Sequence, residues 1–300
     1  MNGRDMALAM AASVIWGGAF VATQFALESF SAPQLTAVRF LIASLPVLVV
    51  PRPRIPWPSL LLIGTTLFTG QFMLLFFAYT QGLPPGLASV TQQTQAFFTV
   101  ILAAALLGDV PGLRQCAGMA VALIGLVLIG LTTGSDLPLS ALGLALAGAF
   151  SWAIGNVLVK RRPGVPIFPL VVWASLVPPL PSLLVSVVYD PSPSLVDAIS
   201  RASWLSIGAA VYLGAVATVV AYAGWGSLLQ RYPSVVVAPF SLVAPCTGML
   251  LSALIFQEAF APARYAGMGL ILGGLAVIVL PAGGSSRGKR QGRARRVPSA

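Results

Sequence analysis

Histidine is absent from the 300 residues, lysine occurs twice (Lys160 and Lys289), and only 8% of the chain is charged. Without imidazole there is no His-based triad, no HExxH zinc site and no histidine proton shuttle. The two lysines fall in a loop and in the C-terminal tail, so a buried Ser–Lys pair is excluded as well. A water-soluble domain needs about a quarter of its residues charged to clothe its surface. The two cysteines, Cys116 and Cys246, both sit in apolar stretches, where buried, inert thiols are expected rather than a disulfide. No phosphate-cradling P-loop pattern occurs, so the chain is not expected to hydrolyse ATP, and no cofactor is implied.

What the chain has instead is apolar length. Apolar residues make up 57% of it. A helix crosses the hydrocarbon layer with about 20 mostly apolar residues. Runs between Pro, Gly and charge give ten expected spans: 6–27, 33–50, 58–81, 86–107, 114–132, 138–159, 167–189, 204–230, 234–257 and 265–280. The connections are short, for example Gly82-Leu83-Pro84-Pro85, so neighbouring helices pack antiparallel. The first run holds Trp16, Thr23 and Gln24 and is followed at once by another span. It therefore reads as a retained helix rather than a cleaved signal.

Lys and Arg in short loops set orientation. With the N-terminus in the cytoplasm, that side holds Arg4, Arg52, Arg54, Arg114, Lys160, Arg161, Arg162, Arg231, Arg287, Lys289, Arg290, Arg293, Arg295 and Arg296, while the other holds Arg201 and Arg264. Both termini are thus expected inside. The net charge of +10 is largely this topology signal and a basic tail suited to anionic lipid head groups. No aromatic residue lies among the tail's basic residues to stack a base, which argues against nucleic acid as a partner.

The chain also repeats itself. Gly108-Asp109 precedes Ala117-Gly118-Met119 at the distance by which Gln257-Glu258 precedes Ala266-Gly267-Met268. Arg114 and Arg264 lie just before the two triplets, and Trp16 and Trp152 sit at matching depths in spans one and six. Five helices followed by five more force the second half into the membrane upside down, the arrangement of alternating-access transporters. The expected fold is an all-α membrane protein of about ten transmembrane helices in two inverted five-helix repeats. Residues 1–137 form the first repeat, 138–282 the second, and 283–300 a disordered basic cytoplasmic tail.

These features resemble a known family. Trp16-Gly17, Arg39-Phe40 and the span ends at Asp109 and Glu258 are similar to the EamA repeat of the drug/metabolite transporter superfamily, over roughly residues 6–280. Gly86-Leu87-Ala88-Ser89 with Gln93, and Gln95-Ala96-Phe97-Phe98-Thr99, resemble its O-acetylserine/cysteine exporter branch. So do Phe150-Ser151-Trp152 with Gly155-Asn156, Val172-Trp173-Ala174, and Gly224-Trp225-Gly226 with Leu229 and Arg231-Tyr232. The resemblance implies export of O-acetylserine, cysteine and related metabolites across a bacterial inner membrane. Asp109 stands where the repeat usually has Glu, which puts that one end contact in question. An EamA carrier of another solute (a drug, purine or aromatic amino acid) is the alternative, and a non-transporting scaffold or receptor the alternative of a different class.

Polar side chains deep in a span are costly and face the bundle interior. Span four carries the densest set, Ser89, Thr91, Gln92, Gln93, Thr94 and Gln95. At 100° per residue all but Thr94 share one broad arc, and Thr94 is expected to bond its own backbone. Amides offer donors and acceptors without fixed charge, which suits a zwitterion. The plainer reading is that they glue helices together. Trp16, Trp152, Asn156, Gln71, Tyr222, Trp225 and, less centrally, Trp173 are further candidates for lining a solute path, with packing or interfacial anchoring as the plainer role. Arg39 is the one charge within a span, roughly 9 Å from its outer end at helical rise. It suits a solute carboxylate, an interhelical tie, or a side chain that snorkels to the interface. Pro178, Pro179 and Pro181 in span seven, and Pro239 and Pro245 in span nine, are expected to break helices where a rocking half bends. Gly269 with Gly273, and Gly118 with Ala122, are expected to form close helix contacts, inside one chain or in a homodimer. None of the seven acids falls mid-span, so a proton relay is not expected and downhill release or exchange is.

Overall fold

The computed structural model describes residues 1–83, 91–131, 138–189, 194–257 and 261–279. The expectations for Ser89, Glu258 and the basic tail lie outside these. Every regular element among the described residues is helical. They are α1 (Gly3–Leu27), α2 (Ala32–Leu48), α3 (Trp57–Thr80), α4 (Gln95–Leu107), α5 (Leu113–Gly130), α6 (Leu139–Lys160), α7 (Ile167–Tyr189), α8 (Leu195–Arg201), α9 (Trp204–Arg231), α10 (Ser234–Ile255) and α11 (Pro262–Val279). Seven of them are long and apolar enough to cross a membrane, and α2 and α11 are shorter apolar helices. The short α8 was not expected. Ser194 starts it, its hydroxyl accepting from the Asp197 N–H.

Local chemistry sets the boundaries. Asn2 caps α1 by accepting from the Asp5 N–H at 2.8 Å. Ser31 and Gln34 close a reciprocal capping box on α2, with Pro33 in the first turn where no N–H is needed. Gly108 ends α4 at φ +72°, a left-handed conformation that glycine takes without penalty.

The surface is the reverse of a soluble protein's. Leu48, Leu113, Leu139 and Val187 are three-quarters exposed or more, while Arg39, Gln92, Gln93, Gln95 and Asn156 are buried. Such an outer surface is stable only against hydrocarbon.

Close packing falls on glycines, though not all those expected. A Cβ on Gly118 would stand 2.7 Å from the Gly274 carbonyl oxygen, and one on Gly125 would stand 2.5 Å from that of Gly267. Both contacts are inside one chain. The Ala-Gly-Met triplets make Gly118 the counterpart of Gly267 and Gly125 that of Gly274. Each glycine therefore meets the counterpart of its helix-mate, and α5 runs antiparallel to α11. Ala122 joins this seam, 3.0 Å from a Cβ on Gly274. Gly269 and Gly273, by contrast, have nothing within 4 Å. The expected GxxxG pair points away from α5, because the seam recurs at the longer Gly267–Gly274 step.

Three of the expected spans lose regular geometry within their length. Pro178 ends the first part of α7, Ile167–Ala174, and the helix restarts at Pro179. Pro239 lies in a 3₁₀ stretch, Ala238–Leu242, inside α10, whereas Pro245 sits in regular helix beyond it. Span four turns at Thr94, whose hydroxyl donates to the Thr91 carbonyl at 2.6 Å. The sequence reading missed two wider distortions. Thr65–Gly70 of α3 and Tyr212–Val220 of α9 are wound as π-helix. A π turn frees carbonyls from regular pairing. Ser151 of α6 donates to Thr66 O at 2.8 Å, and Trp16 of α1 donates to Ala217 O at 3.0 Å.

Both cysteines are free. Cys246 is buried, but Cys116 is exposed because the first turn of α5 faces out of the bundle, so the expectation of two buried thiols is corrected.

Candidate functional site

The π stretches end next to the polar centre of the molecule. Gln71 follows the one in α3, and Tyr222 follows the one in α9. From there a hydrogen-bond chain crosses the bundle. The Trp152 indole donates to the Tyr222 hydroxyl at 3.2 Å, Tyr222 donates to Gln71 Oε1 at 3.5 Å, and Gln71 Nε2 donates to Gln92 Oε1 at 3.4 Å. The last two are at the slack end of the hydrogen-bond range. Trp16 stands edge-on to Trp152, Tyr222 and Trp225, with ring centroids 6.1, 5.1 and 5.1 Å apart. Six of the ten expected site residues thus form one connected group: Trp16, Trp152, Tyr222, Trp225, Gln71 and Gln92. Asn156 adjoins it, lining one cavity with Tyr222 and Trp225, and donates to Thr99 Oγ1 at 3.2 Å. That cavity measures about 10 Å³, room for one water and no more.

Among the described residues, four buried polar atoms of the expected site residues lack a partner: Trp225 Nε1, Gln92 Nε2, Gln93 Oε1 and Gln95 Oε1. Two are donors and two are acceptors. Leaving a buried polar group unmade costs roughly 1–3 kcal/mol. Gln93 and Gln95 belong to this set by burial alone. Among the described residues no hydrogen bond or ring contact ties either of them to the tryptophans.

Arg39 lies beside the group. Its Nε donates to Thr218 Oγ1 at 2.7 Å, and its guanidinium stands 4.7 Å from the Phe72 ring centroid. Thr218 in turn donates to Leu213 O within the π stretch. Arg39 is 8% exposed and ties α2 to α9, so it does not snorkel. Phe68 packs on Tyr222 with centroids 5.1 Å apart, and Phe40 on Phe68 at 4.9 Å. Thr99, Thr218 and Phe68 were not foreseen, since single hydroxyls and phenylalanines in apolar runs carry no signal of their own. Trp173 lies elsewhere, edge-on to Trp57 and donating to Val50 O at 3.0 Å.

One end of the bundle is fastened by charge. Lys160 pairs with Asp109 at 2.5 Å and also donates to Tyr232 O, while Asp109 accepts from the Ser234 N–H at 3.0 Å. Arg231 pairs with Asp5 at 2.9 Å, and the Tyr232 hydroxyl donates to Asp5 at 2.7 Å. Burial alone would raise the Asp109 carboxyl, but the Lys160 and Ser234 donors outweigh it and hold its pKa below the usual carboxylate value. Aspartate at this position does make the end contact that was in question.

The EamA-like transporter family model matches the chain twice, over residues 4–131 and 139–280. The chain belongs to the EamA-like transporter family. It is 38% identical over 286 residues to a probable amino-acid metabolite efflux pump of Salmonella typhimurium, covering 93% of this chain and 96% of that one. It is 37% identical over 288 residues to the protein of the same name in Escherichia coli K12, again covering 93% and 96%. A solved crystal structure aligns with a TM-score of 0.78 at 22% identity, covering 93% of this chain and 99% of that one, which establishes likeness of fold. This EamA protein is therefore a multi-pass membrane transporter that exports small solutes, and not an enzyme.

Proposed function

We propose that this EamA transporter exports small amino-acid metabolites of the cysteine and O-acetylserine class across a bacterial inner membrane by alternating access. The observation that carries the proposal is the set of buried, unpartnered polar atoms on the expected site residues, two of them on Trp225 and Gln92 of the connected group. A zwitterion brings acceptors for Trp225 Nε1 and Gln92 Nε2, and donors for Gln93 Oε1 and Gln95 Oε1. The edges and faces of Trp16, Trp152 and Tyr222 line a dry wall against which an ammonium group rests. Gln71 and Asn156 complete the lining, and Arg39 stations a positive charge on the side of α2. Both relatives are named for amino-acid metabolites, which supports the same substrate class.

Residues 1–137 and 138–282 act as the two halves that rock against each other, the second inverted, with both termini cytoplasmic. The counterpart pairing of the α5 and α11 glycines and the positions of Lys and Arg support this reading. The cavity beside Tyr222 and Trp225 has room for one water and none for a solute, and the Asp109–Lys160 pair serves as the latch at its end of the bundle. Transport runs downhill or by exchange.

Proteoliposomes carrying the protein, preloaded with labelled cysteine, test the proposal. Efflux above protein-free vesicles is expected, with most of it lost in a Gln92→Ala, Gln93→Ala variant of equal abundance. Efflux unchanged in the variant sinks the site. Efflux equal to protein-free vesicles sinks the substrate class. Arrest by a protonophore at an unchanged solute gradient sinks the downhill mechanism.

A further inference from the structure

At the end of the bundle that holds the Asp109–Lys160 pair, a second cavity opens between α3 and α6. It measures about 320 Å³ and is lined by Ser59, Leu62, Ile63, Leu158, Arg161 and Arg162. It is far larger than the central one. Of its apolar lining, Ile63 is buried and Leu62 is half exposed, on the apolar outer surface that lipid covers. Its rim is cationic. Arg162 donates from one terminal nitrogen to Ser59 Oγ at 2.7 Å, and Arg161 from one to Leu106 O at 3.2 Å. Neither guanidinium has a carboxylate partner among the described residues, whose two ion pairs join Lys160 to Asp109 and Arg231 to Asp5. A guanidinium offers five N–H donors, so most of this capacity is uncommitted.

An apolar wall open to lipid below a rim of two adjacent arginines matches one chemistry: a phosphate ester carried on acyl chains. Arginine forks meet phosphate oxygens two at a time, and basic pockets between transmembrane helices suit anionic head groups. We infer that this cavity is a binding site for an anionic phospholipid of the phosphatidylglycerol type, its phosphate on Arg161 and Arg162 and its chains along Leu62. The leaflet, the cytoplasmic one, rests on the orientation proposed above. The binding does not, nor does it rest on the transported solute.

The phosphate half of this chemistry is also offered by free phosphate, so the test separates the two. Full-length protein in detergent is mixed with equal amounts of phosphatidylglycerol and phosphatidylethanolamine and read by native mass spectrometry. One phosphatidylglycerol per chain is expected to be retained in preference, with the preference falling about fivefold for each arginine removed. Arg161→Gln with Arg162→Gln should bring the two lipids near parity, while Arg114→Gln keeps the preference. The single Arg161→Gln variant, at an exposed position, gives a readout if the double variant fails to fold. Retention that is equal in wild type and in these variants overturns the site. Displacement of the lipid by millimolar inorganic phosphate reassigns it to a free anion and overturns the lipid.

Discussion

The Trp152 indole N–H meets the Tyr222 hydroxyl at 3.2 Å and so links α6 to α9 at the middle of the molecule. Tyr222 is the hinge of the polar chain, since it accepts from Trp152 and donates to Gln71. Replacing it with phenylalanine keeps the ring against Trp16 and Phe68 but strands the Trp152 N–H. At roughly 0.5–1.5 kcal/mol per hydrogen bond, Tyr222→Phe should cut initial efflux of labelled cysteine by about twofold to twelvefold. Its thermal stability in detergent should change by only a few degrees. A variant with full efflux would remove Tyr222 from the solute path.

The α5–α11 seam makes a sharper test, because two pairs of glycines in one helix are expected to behave oppositely. A side chain at Gly267 must displace the Gly125 backbone, whereas one at Gly269 meets open space. Gly267→Leu should therefore lower the detergent melting temperature strongly or abolish folded protein, and Gly269→Leu should leave it within a few degrees of wild type. Overpacking of this kind typically costs about 1–3 kcal/mol and more against backbone. Similar losses in both variants would contradict the register of the seam.

The class of protein was legible because its evidence is redundant. Ten apolar runs, fourteen basic residues on one side and a repeated Ala-Gly-Met each point the same way. The polar group was legible for a related reason: a glutamine or asparagine inside an apolar run has few roles, so Gln71, Gln92 and Asn156 announce themselves. What escaped was geometry made by the backbone. The π stretches at Thr65–Gly70 and Tyr212–Val220 have ordinary apolar sequences, and their effect appears only where Trp16 and Ser151 take up freed carbonyls. Gly269 and Gly273 misled for the complementary reason. A small-residue spacing says that a helix permits close approach, not which face has a neighbour.

Asp109 gives the latched end a defined pH response. Its pKa is held below the ordinary carboxylate value in the folded protein, so its contribution is fully present above the unfolded value of about 3.9 and is lost as pH falls through the lower folded one. The melting temperature should therefore show no change due to Asp109 between pH 8 and pH 5.5 (both well above about 3.9) and drop only in acid. Asp109→Asn should melt lower at neutral pH, since it leaves Lys160 without its counter-charge, and should show a shallower acid drop. An equal acid limb in both proteins would mean that other carboxylates govern it.

The natural cysteines test orientation without engineering. Cys116 is exposed at the first turn of α5, next to Arg114, and Cys246 is buried inside α10. If the N-terminus is cytoplasmic, α5 starts on the cytoplasmic side, because four spans precede it. A membrane-impermeant maleimide should then label the wild-type protein in inverted vesicles and leave it unlabelled in right-side-out ones. Cys116→Ser should abolish the labelling, because a thiol 3% exposed in the bundle core meets no aqueous reagent. Labelling from the opposite side would invert the topology and with it the leaflet assigned to the lipid cavity. The fold, the glycine seam and the central polar group would stand, since none of them depends on which face of the membrane is inside.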